Sequence, residues 1–220
     1  MERSMNNEKR INYIVTVSLV AASILFTLAV SLIDVGPIGP GGARVGFAFV
    51  NQAFFDLVGV RLFWYRLTDW LGLAALAVAF GFAVLGLCQL VARRSLRRVD
   101  PDILLLGLLY LAVIGCYVFF EKVVINCRPI LMGGYLEPSY PSSHTMIVVC
   151  VMSTAMMQFR ARFRRKLLAL GLNALSGAII LVTVIGRLIS GVHWLTDIVG
   201  GLLISATLAA LYRCAWERAR

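Results

Sequence analysis

Long apolar runs alternate with short polar, arginine-rich breaks along the whole chain. Runs at roughly 11–33, 70–92, 103–121, 167–189 and 194–214 are each long enough for a helix to cross a hydrocarbon layer of about 30 Å. A run at 144–159 is shorter, about 24 Å as a helix, which predicts that its outer end lies below the lipid headgroups. Between the first two long runs, residues 36–46 (GPIGPGGARVG) read as a Gly/Pro-rich loop. The apolar stretch that follows is broken by Asn51, Gln52 and Asp56, which fall within about 140° of one helical face. That spacing predicts an amphipathic helix along the outer surface, with Trp64, Tyr65 and Trp70 as interfacial aromatics. The expected fold is all-α and polytopic: six transmembrane helices plus the surface helix, in a single domain over residues 1–220.

Composition agrees with the pattern. The 220 residues are 60% hydrophobic and 15% charged, too apolar for an ordinary soluble domain. The first run follows a basic start, and Ala29-Val30-Ser31 resembles a small-residue cleavage pattern. The length of the run favours a retained helix over a signal peptide. A net charge of +10 raises the question of nucleic acid, but the arginines answer it by position. Arg3, Lys9 and Arg10, then Arg93, Arg94, Arg97 and Arg98, then Arg160 to Lys166, then Arg213, Arg218 and Arg220 all fall at the same side of the alternating runs. The opposite side holds only Arg44, Arg61, Arg66, Lys122, Arg128 and Arg187. The basic runs are therefore topology signals: both termini are expected in the cytoplasm, with no nucleic-acid partner. Five cysteines without metal-ligand spacing imply no cluster and no disulfide framework.

Three polar clusters interrupt the apolar pattern, and the alternation of helices puts all three at the outer side. The first is KVVINCRP, with Lys122 and with Arg128 before Pro129. The second is the loop that delivers Ser142, Ser143 and His144 to the start of the fourth span, where helix N–H groups can hold an anion. The third is GRLISGVHWLTD, residues 186–197. His193 and Asp197 stand four apart, so on a helix beginning near His193 they would share a face. A carboxylate there can hold the Nδ1 proton and leave Nε2 as a free lone pair. Arg187 can face them only if Ser190-Gly191 turns the chain. Lys122, Arg128 and Arg187 suit a phosphate, arginine through its fork and lysine as a point charge.

Over about residues 122–197 these motifs resemble the type 2 phosphatidic acid phosphatase family, whose pattern is Lys…Arg-Pro, Pro-Ser-Gly-His and Ser-Arg…His…Asp. The resemblance implies a six-helix, metal-independent lipid phosphatase without cofactor. In it His193 is the nucleophile, Asp197 its partner and His144 the acid and base. Lys122, Arg128, Arg187 and the backbone at Ser142 and Ser143 hold the phosphoryl oxygens. Three positions depart from the pattern: the first motif is one residue short, which puts Glu121 where the family has its lysine, and Ser143 and Gly186 replace a glycine and a serine. The expected substrate is a lipid in the cell membrane whose phosphate faces the extracytoplasmic side. A polyisoprenyl diphosphate such as undecaprenyl diphosphate is expected first, with its second phosphate near Lys122 or Gly133-Gly134. Phosphatidate or phosphatidylglycerol phosphate comes second. Transfer of the phosphoryl group to an acceptor lipid is an alternative on the same scaffold. A phosphate-ester transporter is disfavoured, because its ionisable groups would lie at mid-membrane.

Overall fold

The computed structural model describes residues 2–219, with side chains from Lys9 onward; Arg220 and the side chain of Arg3 lie outside the described residues. Among the described residues seven α-helices follow one another: α1 (Glu2–Leu32), α2 (Ala48–Val58), α3 (Leu62–Arg93), α4 (Pro101–Lys122), α5 (Ser143–Arg162), α6 (Lys166–Ile189) and α7 (Leu195–Ala219). Among the described residues no strand forms, only isolated bridges such as Gly36–Val45 and Cys127–Pro138. The five long apolar runs become α1, α3, α4, α6 and α7, each long and apolar enough to span a membrane. The chain is thus an all-α, polytopic membrane protein.

Helix α5 is the short run, extended to 20 residues. It is the least apolar of the long helices because it faces protein: it packs against α3, α4, α6 and α7. Thr145, Met146, Val148, Cys150, Thr154 and Gln158 are all fully buried on it. The added length lies at the basic end, where Arg162 bonds Gln158, Asp100 and Asp102 at 2.8, 3.1 and 2.9 Å. At the other end α5 starts level with the interior of α3. A Cβ on Gly72 would come within 2.8 Å of the His144 ring, and Gly72 is ten residues, about 15 Å, down α3 from Leu62.

The surface helix forms, but its polar face is divided. Gln52 and Asp56 bond each other at the surface, whereas Asn51 points inward and is fully buried. Its amide donates to the Gly46 carbonyl at 2.7 Å and to Thr196 Oγ1 at 2.9 Å, and its Oδ1 accepts from the Thr196 amide at 3.2 Å. Apolar Phe49 and Leu57 point outward instead. A buried amide needs partners more than an exposed phenylalanine needs cover, especially where the outside is lipid.

Candidate active site

The site is built at the end of the bundle opposite the basic loops, from the α2–α3 turn, the α4–α5 loop and the α6–α7 turn. Ser190-Gly191 makes the expected reversal: Gly191 has φ +68°, and a Cβ on it would fall 2.0 Å from the Gly59 carbonyl oxygen, so only glycine fits there. The Arg61 amide donates to the Ser190 carbonyl at 2.9 Å, which clips this turn to the start of α3.

His193 and Asp197 come together, though not on one helix. Helix α7 begins at Leu195, so His193 sits in the turn before it. The Asp197 Oδ2 accepts the Trp194 amide at 3.0 Å, the return half of a capping box, and its Oδ1 accepts from Asn126 Nδ2 at 3.2 Å. Held in this way, the carboxylate lies 3.5 Å from His193 Nδ1, beyond an ordinary hydrogen bond but close enough to act by charge. On the far side of the ring, Arg128 Nη1 lies 3.3 Å from His193 Nε2. Guanidinium can only donate, so Nε2 carries the lone pair and Nδ1 the proton, the tautomer a nucleophile needs. Burial pulls the imidazole below the ordinary histidine value. Asp197 pushes back, while Arg128 and Arg187 add to the depression.

Arg187 is fully buried, with its guanidinium 4.7 Å over the Tyr65 ring and one nitrogen on the Asp69 carboxylate. Its Nε and Nη1 have no hydrogen-bond partner. The same Asp69 oxygen meets His144 Nε2 at 3.1 Å. Arg128 is also met by a carboxylate, Glu137, at 2.9 Å. A recess opens beside Arg128 and His193, lined also by Tyr117, Glu121 and Ser143; Arg187, Asp69 and His144 lie outside that lining. Lys122 is exposed and absent from that lining, where Glu121 stands in its place. The short first motif thus rotates the lysine away, as about 100° of helix turn requires.

The serines divide as well. Ser142 is a buried N-cap whose hydroxyl accepts from Thr145, and its own amide donates to the Asp197 carbonyl at 3.0 Å. That amide is therefore not available to a phosphate. Ser143, at the first helical position and on the recess, keeps its N–H among the unbonded amides of a helix start. Gly186 has a packing reason: a Cβ there would fall 2.6 Å from Thr68 and 3.3 Å from Trp64, so a serine would have to push α3 aside. Sequence reasoning missed Asp69, Asn51 and Asn126. Among the described residues no group of three His, Cys, Asp or Glu side chains could hold a metal ion.

The PAP2 superfamily profile matches residues 74–220. The chain belongs to the PAP2 superfamily. A solved PAP2 protein, the first crystallised transmembrane PAP2-type phosphatidylglycerolphosphate phosphatase from Bacillus subtilis, superposes with a TM-score of 0.66 at 18% identity, over 93% of this chain and 97% of that one. Among curated proteins, none matches the sequence. The PAP2 match begins at residue 74 and so contains Arg128, His144, Arg187, His193 and Asp197, but excludes Asp69, Asn51 and the start of α3.

Proposed function

We propose that this protein is a membrane lipid phosphatase that works through a phosphohistidine at residue 193. The observation that carries the reading is His193 on the recess, held between Asp197 and Arg128 with its Nε2 lone pair facing the Arg128 guanidinium. In the first step Nε2 attacks phosphorus, the ester P–O bond breaks, and His144 gives a proton to the departing oxygen. In the second, His144 takes a proton from water, the resulting hydroxide attacks phosphorus and the P–N bond breaks, releasing inorganic phosphate. Arg128, Arg187 and the Ser143 amide hold the equatorial oxygens, where charge spreads in the transition state. In this reading the positive charge on the phosphoryl oxygens comes from the side chains of Arg128 and Arg187. The arginine-rich ends of α3, α5 and α7 support an extracytoplasmic site by the positive-inside rule.

For substrate, the recess favours a lipid phosphate monoester such as phosphatidate or phosphatidylglycerol phosphate. A diphosphate needs a cation for its second phosphate, and the position expected to supply it faces the recess as Glu121 while Lys122 points away. The PAP2 neighbour that acts as a phosphatidylglycerolphosphate phosphatase supports the same choice. A polyisoprenyl diphosphate remains the second reading, supported by Arg128 at the recess mouth.

Phosphate release from a panel of lipid mono- and diphosphates in one detergent tests this. Monoesters should give the higher kcat/KM, and an alkaline quench during turnover should trap a phosphoryl adduct on His193 that His193→Ala lacks. A turnover number in His193→Ala within tenfold of the wild type would remove the covalent mechanism.

A further inference from the structure

Asp69 is the one carboxylate that touches both Arg187 and His144, and no motif contains it. A single oxygen, Oδ1, meets Arg187 Nη2 and, at 3.1 Å, His144 Nε2. These are two groups that the proposed reaction requires of the substrate's phosphoryl group: a cation for a non-bridging oxygen and an imidazole for the ester oxygen. The carboxylate side chain is about one-third exposed, so it stands at the mouth of the cradle and can swing outward. The guanidinium behind it is fully buried, with two nitrogens that have no hydrogen-bond partner. A buried guanidinium without a counter-ion is costly, and more so at the end of a membrane bundle. Arg187 therefore needs an anion whether or not substrate is bound, and its remaining donors match a ligand with more oxygens than one carboxylate offers.

We propose that Asp69 is a resident phosphate mimic, an internal anion that occupies the cradle in the resting protein and is displaced from Arg187 when a phosphoryl group binds. It is a positioning residue that sets phosphate affinity, and it rests on the phosphatase reading only for the identity of the displacing group. The exchange is one anion for another on the same cation. Binding then does not bury a new unpaired charge, and a dianion that fills the spare donors outcompetes the carboxylate. Sequence context allows the movement: Asp69 lies on α3 one turn from Gly72, where the helix carries no side chain against His144.

The test is affinity for inorganic phosphate and vanadate, read without turnover as the thermal shift of the full-length protein in detergent and with turnover as competitive inhibition. Asp69→Asn keeps the shape and removes the charge. The anion then meets no internal competitor, so Kd and Ki should fall roughly tenfold, the size of one charge-assisted contact. Asp69→Glu, which keeps the charge, should bind within about threefold of the wild type. Should Asp69→Asn fold only with phosphate in the buffer, that rescue supports the same exchange. Unchanged or weaker phosphate binding in Asp69→Asn, with a lower kcat on alkyl phosphates, would make Asp69 a mere support for His144 and overturn the proposal. So would tightening in Asp69→Glu equal to that in Asp69→Asn. Failure of the phosphatase reading is visible separately, as absence of phosphate release by the wild type, because the thermal-shift comparison needs no activity.

Discussion

The two ends of the bundle use the same residue types to opposite effect. At the basic end, Asp100 accepts from Arg93, Gln89 and Arg162 at 2.7, 2.8 and 3.1 Å, and its amide donates back to Gln89. Arg162 completes its fork on Asp102 and Gln158. Here arginine and carboxylate answer each other and tie α3, α4 and α5 into one frame. At the other end Arg187 keeps two nitrogens unanswered, and His144 and His193 each keep an Nδ1 without a hydrogen-bond partner. Buried polar atoms are nearly always paired, and among the described residues four of the unpaired ones gather on Arg187, His144 and His193, as the proposed phosphate site requires. The count of basic residues gives the two ends their sides of the membrane; the pairing of those residues gives them their different chemistry.

The comparison breaks most visibly at His144. His144→Asn should cost activity by a hundredfold or more on alkyl phosphates and far less on aryl phosphates, whose leaving oxygen needs no proton, with little change in Tm. Equal losses on both substrate classes would show that His144 is scaffold, like its counterparts at the basic end. The reverse holds for Asp100→Asn, which should lower Tm by several degrees and leave KM unaltered. Its carboxyl is held at about 2, below the usual 3.8, chiefly by the hydrogen bond from Arg93. Its contribution is therefore complete above pH 3.8 and lost as pH falls through about 2. The slope of Tm against pH in that window should flatten in the variant, and an equal slope in both proteins would contradict the pairing. The smallest effect is expected at Lys122. Lys122→Ala should change kcat/KM less than threefold in phosphate-release assays, and a larger loss would return this lysine to the cradle.

Much of this was legible in the sequence. The five long spans, the short α5 and the turn at Gly191 follow from length, apolarity and one glycine, because lipid leaves helices little alternative. The Arg187, His193 and Asp197 constellation was legible from its spacing, although the shared helix face was not: a tryptophan amide captures Asp197 and starts α7 two residues later than the pattern suggested. Lys122 lies outside the recess lining because a motif carries residue order, while the recess responds to rotation about α4. Asp69 left no signal because its partner Arg187 is 118 positions away in the chain; Asn51 and Asn126 were visible only within a polar face and a motif, since their partners Thr196 and Asp197 are 145 and 71 positions away. Periodicity reads neighbours along a helix and is blind to pairs of that kind.

The bonds around Thr196 and Asp197 also impose an order in time. Asn51 bonds Thr196, Asn126 bonds Asp197, and the Ser142 amide bonds the Asp197 carbonyl. All three wait on the first turn of α7, which a ribosome makes after α1 to α6. A nascent chain that has inserted α1 to α6 holds Asn51 on Gly46 and the Ser190 turn on Arg61, but the bonds to Thr196 and Asp197 are still unmade. The arrival of α7 closes them together, so the His193 and Asp197 arrangement and the packing of α7 onto the bundle come into being in the same step.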